Sequence, residues 1–275
     1  LWARQRAEAH NTPNSRCAVR TIVILGAGTA GTMMANKLAK SLPSGEFRIV
    51  VVDRDDDHIY QPGLLFLPFG TYKRNEIVRP RSIFLPPEVD LLYGKLERIE
   101  PDSNRVVLEG GESVAYDLLI IATGTRIVPE ETEGLTGTGW MDSAFDFYTL
   151  DGADALGSKL ERFEGGRLVL NVSEMPIKCP VAPLEFLFLA DAFFTEKGIR
   201  DKVDIVYASP LDAAFTKPRA SAALGEMLKN KNITFEGDWS TSKVDGEDRV
   251  LSSWDGRQME YDLLVSIPVH AGSEL

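Results

Sequence analysis

The chain has 275 residues, of which 44% are hydrophobic and 26% charged, a composition typical of a folded globular protein of about two domains. Its formal net charge of −11 argues against a nucleic-acid partner, because such proteins hold phosphates with clustered Lys and Arg. Its 2 cysteines cannot form a disulfide framework, and no apolar run approaches the roughly 20 residues that cross a bilayer.

Residues 1–20 include four arginines and no continuous apolar stretch, so they lack the pattern of a secretory signal peptide. We expect a disordered leader in this segment. The chain opens with Leu1 rather than Met, and it stops just after an apolar run that is typical of a core strand. We therefore interpret it as the N-terminal fragment of a longer protein.

The first ordered elements follow the pattern of a βαβ unit. The apolar run Thr21–Leu25 predicts a buried strand, and a glycine-rich turn, Gly26–Gly31, follows it directly. Residues Thr32–Ser41 are compatible with a helix, and Arg48–Val52 predicts a second buried strand that leads into Asp53. This order of elements predicts a dinucleotide-binding turn.

Each glycine of the turn has a physical role in such a unit. Gly26 allows the tight turn, Gly28 lets the backbone approach a pyrophosphate, and Gly31 lets the helix pack closely on the strand. Asp53, 22 residues after Gly31, is placed to accept hydrogen bonds from a ribose. The alternative is a tight turn that binds nothing.

Three further strands are predicted before the composition changes, at Val89–Tyr93, Arg105–Leu108 and Val114–Ile121. The last of them leads into Gly124, which permits a close backbone approach at the end of a strand where open α/β sheets bind ligands. Gly, Pro, Glu and Thr then dominate residues 125–149, which predicts a connection between domains.

An internal repeat divides the chain into two similar halves. The tetrapeptide Tyr116–Leu119 recurs as Tyr261–Leu264, 145 residues later. The same offset carries the first strand, at Ile22–Leu25, onto another short apolar run, Arg167–Leu170. Coincidence of a common tetrapeptide is the alternative.

We therefore predict an α/β fold of two Rossmann-like domains, each a doubly wound, mostly parallel sheet. The first domain is predicted at residues 21–149 and the second at 150–275. At the offset of the repeat, the three glycines of the turn correspond to Asn171, Ser173 and Pro176. The second domain is therefore expected to lack a dinucleotide-binding turn.

A cysteine occupies the corresponding loop of the second half. Lys178, Cys179 and Pro180 precede an apolar segment, Leu184–Lys197, which predicts a buried helix. A thiol beside a lysine and near a helix N-terminus favours the reactive thiolate, so we predict a redox role for Cys179. The alternative is a small buried hydrophobic residue. Cys17 is interpreted as an incidental thiol.

Two other segments are less specific. His58–Gly63 is compatible with a surface for a flat aromatic ligand and equally with a loop that faces the core. Asp55, Asp56 and Asp57 are consecutive and lack the spacing of calcium ligands. The sequence contains no zinc-binding pattern and no nucleophile elbow, so no metal site is predicted.

Together these motifs resemble those of the sulfide:quinone oxidoreductases, within the FAD-dependent pyridine nucleotide-disulfide oxidoreductase superfamily. The resemblance covers about Thr21 to Gly272. The segments that carry it are Gly26–Gly31, Asp53, His58–Gly63, Ala122-Thr123-Gly124 and Lys178-Cys179-Pro180. The glycine motifs are shared by the whole superfamily, whereas the cysteine loop is more specific.

The resemblance implies FAD as the cofactor and a redox function for Cys179. In such enzymes sulfide reacts at a cysteine, electrons pass through FAD to a quinone, and the product is a persulfide or polysulfide. Pro62 is implied to lie near the flavin ring. The residues implied to bind FAD are Gly26, Gly28, Thr29, Ala30, Gly31, Asp53, Pro62, Thr123 and Gly124.

The chain also departs from this pattern, because no second redox cysteine follows Cys179. The family's C-terminal FAD motif and the apolar helices that form its quinone site and dock on the membrane are missing too.

For the parent protein the resemblance implies sulfide and quinone as substrates and a peripheral location on the cytoplasmic face of a membrane; homo-oligomerisation is left open. The alternatives are an NAD(P)H:quinone or other pyridine-nucleotide oxidoreductase, and an inactive FAD-binding fragment.

Overall fold

The computed structural model describes residues 19–273, so most of the predicted leader, Cys17 included, lies outside the described residues. Arg20, which we assigned to the leader, is the first residue of a strand. The strands are β1 (Arg20–Leu25), β2 (Phe47–Asp53), β3 (Asp57–Ile59), β4 (Val78–Pro80), β5 (Val89–Tyr93), β6 (Leu96–Glu100), β7 (Arg105–Leu108), β8 (Ser113–Ala115), β9 (Leu118–Ile121), β10 (Thr125–Val128), β11 (Ala144–Phe145), β12 (Gly166–Val172), β13 (Val203–Ala208), β14 (Ile233–Glu236), β15 (Thr241–Asp245), β16 (Val250–Ser253), β17 (Gln258–Glu260), β18 (Leu263–Ile267) and β19 (Val269–Gly272).

Helices are fewer than strands in this part of the chain. The α-helices are α1 (Thr29–Ser41), α2 (Arg74–Ile77), α3 (Leu150–Arg162), α4 (Ala182–Glu196) and α5 (Pro218–Asn230). Short 3-10 helices lie at Gln61–Leu65, Leu67–Phe69, Arg81–Phe84, Pro101–Ser103, Pro129–Glu131 and Arg200–Lys202. No helix within residues 19–273 combines the length and the apolar character that a membrane span requires.

Unit 1 comprises residues 19–55 and 84–122 of the described chain. Its main sheet has the order β5-β2-β1-β9, and every strand pair in it is parallel. Alternate residues of β1 face opposite sides, with Ile22 and Ile24 in the core formed with α1 and Val23 and Leu25 in the core formed with β7. Both faces of the sheet are therefore buried, as the uninterrupted apolar strands predict.

Unit 2 comprises residues 56–83 and 123–273 of the described chain. Its main sheet is parallel throughout, with the order β11-β18-β12-β13-β14. Leu168 of β12 lies in a core with Leu156 of α3 and Phe186 of α4, whereas Val169 lies in the opposite core with Trp239. Each unit by itself thus has a three-stranded antiparallel sheet on one face of its parallel sheet; the other face is covered by α1 in unit 1 and by helices that include α3 and α4 in unit 2.

The repeated tetrapeptide has the same structural role in both units. The Asp117 carboxylate accepts a hydrogen bond from the Thr21 amide (2.6 Å) at the start of β1. The Asp262 carboxylate accepts one from the Arg167 amide (2.7 Å) near the start of β12. Each aspartate therefore fixes β1 or β12 next to the strand that begins at the residue after it, β9 or β18.

This equivalence refines the alignment of the two halves. The Thr21–Asp117 pair matches the Arg167–Asp262 pair, which places the first strands one residue further apart than the tetrapeptides. The three glycines of the first half therefore correspond to Val172, Glu174 and Ile177 rather than to the residues predicted above. The expected absence of glycine from these positions is unchanged by the shift.

Two sequence interpretations differ from the observed elements. The predicted strand Val114–Ile121 is two strands, because β8 belongs to the antiparallel sheet and β9 to the parallel sheet of unit 1. The turn to β9 passes through Asp117, whose carboxylate holds β1.

The predicted connection at residues 125–149 contains β10, which pairs with β19, and β11, which pairs with β18. The units also divide the chain at other points than the single boundary predicted at residues 149–150.

The predicted buried helix is α4, and one charged residue lies within its apolar face. Phe186, Leu187 and Phe194 are fully buried. Asp191 is 7% exposed, and it accepts hydrogen bonds from Arg200 Nε (2.7 Å) and Lys231 Nζ (2.5 Å). This ion triad joins α4 to the ends of two other elements of unit 2, because a buried carboxylate needs such partners to remain charged.

Replacement of Asp191 by alanine is expected to destabilise unit 2. Asp191→Ala leaves the Arg200 guanidinium, only 19% exposed, without its carboxylate, and we expect the free energy of unfolding to fall by about 3 kcal/mol. Asp204→Ala is the matched control, because its ion pair with Arg167 is exposed and contributes about 0–1 kcal/mol. Urea denaturation of the three proteins measures both values, and equal losses would contradict the prediction.

The contribution of Asp191 should also depend on pH. Burial opposes its ionisation, but hydrogen bonds from Lys231 and Arg200 outweigh burial and hold the pKa of Asp191 below its ordinary value. A carboxylate with a lowered pKa in the folded state stabilises above its unfolded pKa, and this stabilisation is lost as the pH falls through the lowered value. The stability difference between the parent and Asp191→Ala should therefore shrink below about pH 4 in urea titrations.

Candidate functional site

The glycine turn of unit 1 is a three-residue loop, residues 26–28, between β1 and α1. Gly26 has a φ of +94°, a conformation that favours glycine. A Cβ atom on Gly31 would lie 1.8 Å from the Gly26 carbonyl oxygen, so only glycine allows α1 to pack this closely on the turn. Both positions thus require glycine for reasons of backbone geometry.

The N-terminus of α1 is open to a ligand. Gly28 is the N-cap residue, no side chain caps the helix, and its first turn contains no acidic residue. The amide groups of Thr29, Ala30 and Gly31 are the first of the helix and have no acceptor within it. A Cβ atom on Gly28 would meet nothing within 4 Å, so space is open beside the backbone. This arrangement fits the pyrophosphate of a dinucleotide.

Asp53, the last residue of β2, is hydrogen-bonded to the same turn. Its Oδ2 atom accepts a hydrogen bond from the Ala27 amide (2.6 Å), and its Oδ1 atom accepts one from the Arg54 amide (2.7 Å). Each carboxylate oxygen can accept more than one hydrogen bond, so ribose hydroxyls remain acceptable partners. The residues of unit 1 therefore fit the ADP half of FAD.

The other predicted cofactor residues belong to unit 2. Thr123 and Gly124 follow β9 directly, and Gly124 has a φ of +72°. Pro62 is exposed in the 3-10 helix Gln61–Leu65, whose Leu64 side chain is buried in the core. The segment around Pro62 therefore has one side exposed to solvent and one side packed in the core of unit 2.

Cys179 lies in the nine-residue loop, residues 173–181, that connects β12 to α4. It is half-buried, and it is the free cysteine of the described residues. The N-cap residue of α4 is Val181, and the Cys179 carbonyl oxygen accepts a hydrogen bond from the Ala182 amide (3.1 Å). The Cys179 backbone is thus hydrogen-bonded to the first turn of α4, and the redox role of the thiol stays a prediction.

The N-terminus of α4 differs from that of α1 in its free amide groups. The Ala182 amide donates to Cys179, Pro183 has no amide hydrogen, and the Leu184 amide donates to the Val181 carbonyl oxygen (3.0 Å). The loop itself therefore satisfies the groups that would bind a phosphate. Two features therefore argue against a dinucleotide-binding turn in unit 2: the missing glycines, and the amide groups that are already hydrogen-bonded within the loop.

Lys178 connects the cysteine loop to the segment around Pro62. Its Nζ atom donates a hydrogen bond to Gln61 Oε1 (3.3 Å) and lies 6.0 Å from the centre of the Tyr148 ring. Loss of water around the ammonium group lowers the pKa of Lys178, and the negative charge of Asp146 partly opposes this effect. Lys178 thus supplies a positive charge next to Cys179.

Two residues that the sequence analysis missed complete the group. The Tyr148 hydroxyl donates a hydrogen bond to the Cys179 carbonyl oxygen (3.3 Å), and burial followed by the charge of Cys179 raises the pKa of Tyr148. The His270 ring contacts the Tyr148 ring edge to face, with 5.0 Å between their centres. We call Gln61, Tyr148, Lys178, Cys179 and His270 the Cys179 cluster.

The Cys179 cluster forms where parallel strands of unit 2 end. Tyr148 follows β11, Cys179 follows β12 and His270 follows β18, and these three strands are neighbours in the sheet. The carboxyl edge of an open parallel sheet is where α/β proteins bind ligands. The repeat could have indicated His270, because its first-half counterpart, Thr125, directly follows Thr123 and Gly124.

The described residues do not assemble a metal centre. Within residues 19–273, no group of three or more His, Cys, Asp or Glu side chains is arranged to hold a metal ion.

A nucleotide-binding turn in one unit and a cysteine in the equivalent loop of the other define a class of oxidoreductase with a flavin or dinucleotide cofactor. Residues 20–170, more than half of the chain, match the pyridine nucleotide-disulphide oxidoreductase family. The chain belongs to this family, which confirms the predicted enzyme class and the predicted resemblance.

The chain is also similar in sequence to individual proteins. The chain is 24% identical to the mitochondrial sulfide:quinone oxidoreductase of Mus musculus over 213 residues, which span 78% of this chain and 47% of that protein. It is 26% identical to the type II NADH:quinone oxidoreductase of Staphylococcus haemolyticus over 143 residues, which span 52% of this chain and 34% of that protein. The chain thus spans half or less of the length of these two relatives.

The structure of the sulfide:quinone oxidoreductase from Aquifex aeolicus has the same fold. It matches 93% of this chain and 60% of its own, with a TM-score of 0.81 and 20% sequence identity. The predicted α/β fold with Rossmann-like domains is confirmed by this likeness and by the parallel sheets of both units.

The glycine turn allows a matched test of cofactor binding. Gly28→Ala should fold like the parent, within about 0.5 kcal/mol, because its backbone conformation suits alanine and the new methyl group meets nothing within 4 Å. It should nevertheless bind FAD at least about tenfold more weakly, because the methyl group fills the space where the pyrophosphate fits.

Gly31→Ala is the comparison, because its methyl group would collide with the Gly26 carbonyl and should lower the free energy of unfolding by about 2 kcal/mol or more. Urea denaturation and the quenching of FAD fluorescence measure the two properties separately. Unchanged FAD affinity in a folded Gly28→Ala variant would show that the pyrophosphate lies elsewhere.

Proposed function

We propose that the protein oxidises sulfide at Cys179 and passes the electrons through FAD to a quinone, so that the product is a persulfide or polysulfide. The observation that carries the proposal is the replacement of a nucleotide-binding turn by a cysteine loop at the carboxyl edge of the unit 2 sheet. The similarity to relatives described as sulfide:quinone oxidoreductases supports the same substrates. A peripheral location on a membrane is part of the proposal, because quinones dissolve in the bilayer.

The glycine turn of unit 1 would hold the ADP half of FAD. Its requirements for glycine, the uncapped N-terminus of α1 and the position of the Asp53 carboxylate all favour a dinucleotide. A carboxylate at the position of Asp53 disfavours a 2′-phosphate on the ribose, because the two groups carry like charges. Thr123, Gly124 and Pro62 are proposed as further contacts of the same cofactor.

The residues of unit 2 would perform the sulfur chemistry. Sulfide and the Cys179 thiolate join through a new S–S bond, and this step releases one proton and two electrons. Lys178, adjacent in the chain, stabilises the anionic sulfur by its charge. FAD, when bound, supplies the acceptor for the two electrons and hands them on to a quinone.

The second candidate function is oxidation of a reduced nicotinamide nucleotide with a quinone as acceptor. The similarity to a type II NADH:quinone oxidoreductase favours it. It requires a nucleotide-binding loop, and in unit 2 the amide groups at the start of α4 are already bonded within the loop. We therefore place this candidate second.

The two candidates differ in which reductant bleaches the flavin. We expect sulfide, added without oxygen to the FAD-loaded chain, to bleach the flavin absorbance, and decylubiquinone to restore it. Cys179→Ser should slow bleaching by sulfide at least about a hundredfold, because the sulfur that accepts the substrate is gone. Stopped-flow absorbance measures both reactions.

Cys17→Ser is the control, because it removes the other thiol of the chain. Sulfide bleaching at the parent rate in Cys179→Ser would exclude the thiol mechanism. Bleaching by NADH faster than by sulfide would favour the second candidate, and no bleaching by either in a chain that binds FAD would favour an inactive binding fragment.

A further inference from the structure

The imidazole of His270 has a buried nitrogen that lacks a partner. Its Nδ1 atom lies 3.0 Å from the Pro268 carbonyl oxygen, whereas its Nε2 atom is buried and makes no hydrogen bond within residues 19–273. A carbonyl oxygen only accepts, so Nδ1 carries the hydrogen and Nε2 presents a lone pair. A buried acceptor without a donor is unfavourable, so the unpartnered Nε2 atom requires an explanation.

The surroundings keep this imidazole neutral. Burial lowers the pKa of His270, the hydrogen bond to Pro268 opposes this effect, and the positive charge of Lys178 lowers the pKa further. Ile127, opposite His270 on β10, is apolar, and Tyr148 stays protonated because burial raises its pKa. At neutral pH the Nε2 atom is therefore free to accept a proton.

Two donors of the cluster make their hydrogen bonds to other acceptors. The Tyr148 hydroxyl donates to the Cys179 carbonyl oxygen, and Lys178 Nζ donates to Gln61. Packing of an aromatic ring against Tyr148 would not require a nitrogen at the Nε2 position. Within residues 19–273 the Nε2 acceptor is thus left without a donor.

We propose that His270 Nε2 is the base that takes the proton from hydrogen sulfide as its sulfur joins Cys179. The inference rests on the proposed function, because it assigns the substrate's proton to a residue of the same cluster. Hydrogen sulfide gives one proton to Nε2 and becomes the hydrosulfide anion. This anion forms an S–S bond with Cys179 Sγ. In the proposed function the two electrons released would pass to FAD; in the flavin-free test below the bond from Sγ to thionitrobenzoate breaks instead, and the thionitrobenzoate anion leaves with them.

The step can be isolated in the chain without flavin. In a Cys17→Ser background, Cys179 is converted to a mixed disulfide with thionitrobenzoate, and sodium sulfide is then added. The coloured thionitrobenzoate anion leaves, and mass spectrometry of the protein shows whether Cys179 has gained one sulfur atom. The rate is measured from about pH 6, where neutral hydrogen sulfide predominates, to about pH 9, where the hydrosulfide anion does, for the parent, His270→Gln and His270→Phe.

We expect both variants to slow the release about tenfold or more at about pH 6. The difference should vanish near pH 9, because the solution then supplies the hydrosulfide anion directly. Gln offers an acceptor that cannot take a proton, and Phe retains an aromatic ring against Tyr148, so the two variants separate proton uptake from packing. His58→Gln makes the same change at the other histidine of the described residues and should follow the parent at every pH.

Two results would overturn the inference. Parent-like rates of both variants at about pH 6 would show that His270 takes no proton, and an equal slowing at all pH values would show a structural role. If the parent itself gains no sulfur atom at any pH, the proposed function fails instead. Urea denaturation of the variants shows that a slow rate belongs to a folded protein.

Discussion

In both units a parallel sheet is buried on its two faces, and this constraint confines ligand chemistry to one edge. The buried side chains of β1 are apolar, and those of β12 are apolar apart from Asn171, whose amide group donates a hydrogen bond to Thr241 Oγ1 (2.9 Å). Asp117 and Asp262 hold the starts of these strands through backbone amides. Polar groups that can meet a ligand are therefore left to the loops at the carboxyl ends of the strands.

The loops at the carboxyl edge of the sheet have opposite chemistry in the two units. The loop at residues 26–28 is short and leaves the amide groups of a helix N-terminus available to an anion. The loop at residues 173–181 is longer, and its own carbonyl groups occupy the amides at the start of α4. One scaffold thus presents backbone donors in unit 1 and reactive side chains in unit 2.

The Cys179 cluster is organised around one aromatic side chain. Tyr148 bonds the backbone of Cys179 with its hydroxyl group and contacts His270 with its ring. Lys178 provides the positive charge, and that charge helps to keep His270 neutral. In the proposed chemistry Lys178 would stabilise an anionic sulfur and the neutral His270 would accept a proton. Burial lowers the pKa of both side chains.

The βαβ order of unit 1, the requirement for glycine at Gly26 and Gly31, and the duplication marked by Asp117 and Asp262 could all be predicted from the sequence, because periodicity and local backbone geometry are encoded over short stretches. Cys179 could be predicted from its loop. The division of the strand predicted at Val114–Ile121 between two sheets, and the contacts that join His270 through Tyr148 to the cysteine loop, became visible in the three-dimensional structure. These contacts join residues up to 122 positions apart in the chain, and no local pattern reports which strand ends meet at one edge of a sheet.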